Sequence, residues 1–182
     1  MPNVWESAIV ALVAVVGGQM LRTYLGKRKV RSDFDYAMQV VARQTVKGAR
    51  ADHKVELDFS SDSIERLEGI LAKIHEGHLE KPLTDKELQL QSIRWGAYVG
   101  EVLKRIQPGK WQRDSEKAGR GAMPVVFGPG HEAFPCSWVY KRMADGPDDN
   151  IVFKFQVFSS PKFRNLIQTT PQASPENSSD AK

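Results

Sequence analysis

The sequence has a single cysteine, Cys136, so no intramolecular disulfide can form and no paired thiols mark a structural zinc site. The fold must be held by burial. Histidine is scarce too: His53, His75, His78 and His131 are the only four. His75 and His78 in "HEGHLE" lie three apart beside Glu76 and Glu80. Gly77 interrupts them at an expected helix end, and no third ligand follows at a metal spacing. The expectation is a solvated helix terminus, with no metal and no cofactor. His131 and Cys136 are the residue types of a base and a thiol nucleophile. The alternation of apolar residues around Cys136 would bury it with Phe134 and Trp138, which makes it an inert core thiol. "GRG" at residues 119–121 lacks the strand-loop-helix setting of a phosphate cradle and reads as a mobile loop.

An excess of one charge is missing from most of the chain. Arg22, Lys27, Arg28, Lys29 and Arg31 against Glu6 account for the whole net charge of +4, and the remaining acids and bases balance. A nucleic-acid-binding domain spreads its bases over a folded face to neutralise phosphates. No nucleic-acid partner is expected here.

The basic cluster instead follows the most apolar stretch in the sequence. Every residue from 8 to 16 is apolar. The run is short for a hydrocarbon core, which needs about 20 helical residues. However, Trp5 and Tyr24 are 19 positions apart, roughly 29 Å as helix, close to the separation of the two interfacial belts. Arg22 can snorkel outward at one edge, and Glu6 sits at the other. Residues 1–31 therefore read as a membrane anchor, with Trp5, Arg22, Tyr24, Lys27, Arg28 and Lys29 at the interfaces. A signal peptide carries its bases before the apolar run, and a soluble or in-plane helix shows a polar stripe; this segment has neither. All five bases lie after the run, so the positive-inside rule puts the N-terminus outside and the remainder in the cytoplasm. The expected location is the cell membrane, crossed once.

The soluble part begins with residues 32–54, an amphipathic helix or stalk opened by Ser32 and Asp35 at capping-box spacing, with Phe34, Ala37, Met38, Val41 and Thr45 on one side. A globular domain is expected over 55–165. "HKVELDFS" alternates Val55, Leu57 and Phe59 with charged residues, as a half-buried strand does. Asp62 and Glu65 open a helix with Ile64, Leu67, Ile70, Leu71 and Ile74 as its stripe, closed by Gly77. Thr84 and Glu87 open the longest helix, which stops before Pro108 and Gly109. A helical wheel of this segment gathers Leu88, Trp95, Val99, Val102, Leu103 and Ile106 on one side and Arg94, Glu101, Lys104 and Arg105 opposite. Gly96 and Gly100 lie at the margin. Each costs about 1 kcal/mol relative to Ala in a helix, which implies a neighbour packed too close for a side chain.

Beyond Gly109 the period becomes two. "GKWQRD", "MPVVFGPG", "FPCSWVYKR" and "NIVFKFQVF" are expected as strands, the last two joined through the turn "MADGPDDN". Helices followed by strands give an α+β class, with the helices on one face of a small antiparallel sheet. Residues 166–182 are polar and rich in Pro and Ser, and are expected as a disordered tail.

"LDFSSDSIERLEGIL", "IRWGAYVGEVLKR" followed by "GKW", and "FPCSWVYKRMADGPDDNIVFKFQ" together resemble an uncharacterised bacterial domain family. That family has a Leu-Asp-aromatic-Ser segment before one helix and a Gly-Ala-Tyr-hydrophobic-Gly-Glu segment in the next. The resemblance spans about residues 55–158. It implies no activity and no general N-terminal anchor.

Two function classes fit these features. One is a membrane-tethered, non-catalytic module that binds another protein. The other is a small hydrolase or ligand-binding domain with a pocket near Trp95, Tyr98, Trp111 and Trp138. The candidate binding residues are Arg94, Trp95, Tyr98, Glu101 and Trp111. Glu101, four before Arg105, either grips a ligand or partner at the sheet edge or forms a surface pair worth about 0.3 to 0.5 kcal/mol.

Overall fold

The computed structural model describes residues 33–169. The expected anchor, its interface residues and most of the expected tail lie outside them. Among the described residues no helix is long and apolar enough to cross a membrane. They form an α+β unit of six helices packed with a three-stranded antiparallel sheet.

Helix α1 (Phe34–Gly48) is capped by Asp33, whose carboxylate accepts the N–H of Tyr36 at 3.1 Å; Ser32 of the expected capping box lies outside the described residues. Asp35 is thereby left for a longer-range task. Ala37, Met38, Val41, Ala42 and Thr45 are buried, so the apolar side of α1 joins the core. One π-type turn (Ala49–His53) follows.

The segment after it alternates as expected, with Leu57 buried and Val55 and Phe59 partly so, but forms no strand. Its backbone bonds go elsewhere: the Val55 N–H to the Ala49 carbonyl, and the Phe59 N–H to the Tyr98 hydroxyl. Alternation needs only one apolar neighbour surface, whereas a strand also needs a ladder partner. Helix α2 (Ser63–Glu80) buries Ile64, Leu67, Ile70 and Leu71 and runs on past Gly77, which lies open on the exposed side.

Helix α3 (Asp85–Ile106) opens with the full reciprocal capping box of Thr84 and Glu87. It is the centre of the molecule. Every residue from 95 to 103 is buried, including Glu101. The helical wheel gives this helix one apolar face; α1, the Trp111 ring and two later helices enclose it instead.

The two glycines are where those neighbours come closest. A Cβ on Gly96 would lie 2.6 Å from the Cys136 Cα and 2.7 Å from its backbone nitrogen. One on Gly100 would lie 2.7 Å from Cη2 of the Trp111 indole.

Strands β1 (Lys110–Trp111), β2 (Val125–Gly128) and β3 (His131–Ala133) pair in that order, with Trp111 opposite Val125 and Val125 opposite Ala133. The two strands expected after them are helices. In α4 (Pro135–Ala144) the buried residues Cys136, Val139 and Met143 follow helical spacing. Pro135 at the first helical position presets φ for it. In α5 (Ile151–Ser159), Asn150 caps the first turn through Val152 and Phe153, and Ile151 and Phe155 are buried one turn apart.

Phe153 and Val157, the other members of the expected strand alternation, are 69% and 47% exposed. Composition favoured a strand, and local capping with core contacts at four-residue spacing prevailed. The turn between them is real but joins two helices, through a 3-10 turn (Pro147–Asp149) after Gly146 at φ 102°.

The Glu68 carboxylate ties α2 to α4 through Arg142 and to α5 through the Ile151 N–H at 3.0 Å. Helix α6 (Pro161–Thr169) includes residues 166–169, expected as the start of the tail. Phe163 on α6 meets Phe127 on β2 edge to face.

Candidate functional site

Glu101 sits where α1, α3 and β1 converge, and is only 7% exposed. A buried carboxylate is tolerated when hydrogen-bonded and paired. Its Oε1 accepts from the Trp111 indole N–H at 3.0 Å and from Lys104 at 3.0 Å. Lys104, its side chain 11% exposed, also bonds Asp35 at 2.6 Å. The Asp35 carboxylate in turn takes the Trp111 backbone N–H at 2.9 Å and the Gln39 amide at 3.0 Å.

Burial pushes the Asp35 carboxyl up, but these bonds and the Lys104 charge outweigh it and hold the group below its ordinary value. One ammonium between two carboxylates thus locks α1 to α3 and β1. This corrects the expected surface pair. The principal cation of Glu101 is Lys104, with Arg105 Nη1 3.9 Å from Oε2, and Arg94 is engaged elsewhere.

Beside this cluster opens a cavity of about 300 Å³, lined by Gln39 and Arg43 of α1, Phe59 of the loop before α2, and Glu101, Lys104 and Arg105 of α3. Phe59 is held in the left-handed region at φ 62°. For a bulky residue this is a strained conformation that the surroundings must enforce. Its N–H donates to the Tyr98 hydroxyl at 2.9 Å, and its ring stacks on Tyr98 with centroids 4.9 Å apart. The Arg105 guanidinium covers the ring at 3.8 Å. Asp58 braces the loop by accepting both the hydroxyl and the N–H of Ser60, which pull its carboxyl down to about 2.

No protein-family model, curated protein or solved structure matches the chain. Geometry and chemistry are therefore what speak for the site.

Of the five candidate residues, three converge on the cavity. Glu101 lines it, Trp111 bonds Glu101 from behind, and Tyr98 supports Phe59. Tyr98, Trp95 and Trp111 are all fully buried, so these rings are core packing, while Trp138 is half-buried. Arg94 and Trp95 lie on another side of α3. Arg94 pairs with Asp52 at 3.1 Å and covers the Trp95 ring, whose N–H bonds Gln91 at 3.0 Å.

Gln39, Arg43, Phe59, Lys104 and Arg105 were not among the candidates. Each looks like an ordinary solvated or strand residue until α1 and the loop are laid against α3.

The thiol and imidazole pair does not assemble. Cys136 is buried beneath Gly96, where burial pushes its thiol up to about 12, and His131 turns its Nδ1 to the Pro129 carbonyl at 2.8 Å. His75 bonds the Met143 carbonyl and His78 accepts the Leu83 N–H, so the two belong to helix packing and termination. Among the described residues no cluster has the makings of a metal site.

Proposed function

We propose that the chain is a membrane-tethered, non-catalytic module that binds another protein, and that the cavity between α1 and α3 is where it does so. The observation that carries this is a site built in advance of any ligand. Glu101, Lys104 and Phe59 are each fixed by bonds to the scaffold, and Arg105 is fixed by its stack on Phe59. Preorganisation of this kind favours binding, because less side-chain freedom is lost on association. The carboxylate in the cavity is bound by an ammonium and an indole N–H, and the other lining groups are an amide, guanidinium groups and a phenyl ring. These are recognition groups rather than an acid, base and nucleophile in mutual reach.

The apolar segment, its aromatic edges and the five bases after it support the tether, with the N-terminus outside and the domain in the cytoplasm. The alternative is a small hydrolase or ligand-binding domain with a pocket near the aromatic cluster; its ligand-binding form would use this same cavity, which Trp111 and Tyr98 back.

The test is crosslinking in membranes of cells that express the full chain. A discrete partner should crosslink to the wild type and be lost from Arg43→Glu and Arg105→Glu. Arg43 is exposed and has no partner among the described residues, so its variant should melt as the wild type does. An identical crosslinked set in all three proteins would overturn the proposal.

A further inference from the structure

Three positive groups line the cavity, but they are not equivalent. Lys104 is consumed by Asp35 and Glu101. Arg105 donates Nη1 to the Glu101 carbonyl at 2.7 Å and lays its face on Phe59. Nε and Nη2 of Arg105 take no bond among the described residues, and its side chain is 47% exposed. Arg43 likewise has no partner among them. Two guanidinium groups, one on each wall, are thus available to an oxyanion, and guanidinium suits the two oxygens of a carboxylate.

The floor imposes a second requirement. Glu101 Oε1 already accepts twice, while Oε2 accepts no hydrogen bond from a described residue. An incoming group made only of acceptors would face that oxygen with like charge. The complementary ligand therefore carries a hydrogen-bond donor close to its oxyanion. The Phe59 ring already carries Tyr98 stacked at 4.9 Å and the Arg105 guanidinium at 3.8 Å, which leaves little of it as a platform for a large ring. A cavity of about 300 Å³ is at the small end for ligand sites.

We infer that the cavity captures the free C-terminus of a partner polypeptide, with the terminal carboxylate between Arg43 and Arg105 and the last backbone N–H on Glu101 Oε2. The terminal residue is the one place on a polypeptide where a carboxylate and an N–H share a single α-carbon. An internal Asp or Glu side chain sets its carboxylate one or two carbons further from its own backbone N–H. The inference rests on the proposed protein-binding role and gives it a chemical address.

Fluorescence anisotropy of the full chain in detergent tests it, with four N-terminally labelled pools of mixed-sequence tetrapeptides. The first pool ends in a free acid and the second in an amide. The third is amidated but carries an internal Asp, and the fourth is a free acid with its last nitrogen methylated. The expected result is binding of the free-acid pool at least tenfold tighter than each of the other three. Arg43→Met and Arg105→Met should each lose most of that preference, and Arg43→Met, at an exposed residue with no partner among the described residues, should melt like the wild type.

Equal affinity for acid and amide would overturn the inference, as would equal affinity for the amidated Asp pool or the N-methylated pool. Binding of no pool would do the same. Displacement by inorganic phosphate without any acid preference would make the cavity a phosphate site instead. The two proposals fail separately. A missing acid preference with a crosslinked partner still lost from Arg43→Glu removes only the C-terminus. An intact preference with the partner retained removes the site from the protein's interaction.

Discussion

Replacing Gly96 with alanine adds one methyl group to the centre of the molecule, and the structure gives its effect a sign. In an open helix the change would stabilise by about 1 kcal/mol. Here the new Cβ would meet Cys136 Cα at 2.6 Å and its nitrogen at 2.7 Å, where carbon contacts normally sit at about 3.5 to 4.0 Å. Those atoms are backbone at the start of α4, so no rotamer change relieves the clash and the helices must separate.

Overpacking costs about 1 to 3 kcal/mol, and a backbone clash belongs at the upper end. Subtracting the helical gain leaves a net loss of about 2 kcal/mol, or a fall in Tm of roughly 4 to 8 °C for a chain of this size. Gly69 is the control. It lies in α2 with nothing within 4 Å of its Cβ position, so Gly69→Ala should raise Tm by roughly 2 to 4 °C. Urea unfolding of both variants, with m unchanged, measures the difference. Equal shifts, or a stabilised Gly96→Ala, would refute the claim that α4 occupies the place of that side chain.

Lys104→Met should destabilise by about 3 kcal/mol or more, because it leaves two carboxylates facing each other in a largely buried cluster. Wild-type Asp35 contributes stability above its unfolded value near 3.8 and loses it as pH falls through its lower folded value. The deficit of the variant should therefore shrink in that acidic range, and a deficit that grows there would contradict the pairing. Asp58 should titrate near 2 by carboxyl NMR, so its hold on the Phe59 loop persists above about pH 4 and is lost as pH falls toward 2. A titration at the ordinary value would mean that the Ser60 bonds do not form. Cys136 should resist a thiol reagent at neutral pH in the native protein and react once unfolded; rapid native labelling would contradict its burial. For the tether, deletion of residues 1–31 should move the protein to the soluble fraction, and external protease should spare the domain in intact spheroplasts. Membrane association without those residues, or cleavage in intact cells, would overturn anchor or topology respectively.

What could be read beforehand was local. Thr84 and Glu87 form their capping box because both partners lie within one turn. The stripe of α2 is buried because periodicity carries its own geometry. Residues 135–144 and 151–159 misled because aromatic and β-branched residues every second position suit a strand. Yet Pro135 and Asn150, helix-start residues at their head, were in plain view.

Sequence by itself determined that α3 must be closely approached, since two glycines in a helix carry a cost that only packing offsets. It also determined the α+β class and the charge asymmetry of residues 1–31. The tertiary structure decided what approaches: Cys136 at one glycine and Trp111 at the other. It also decided that Glu101 is an enclosed acceptor rather than a surface charge, because α1 lies against α3 and carries Asp35 to Lys104, 69 positions away. The cavity exists only through that long-range closure. Its walls come from three segments whose separation in space no periodicity along the chain encodes.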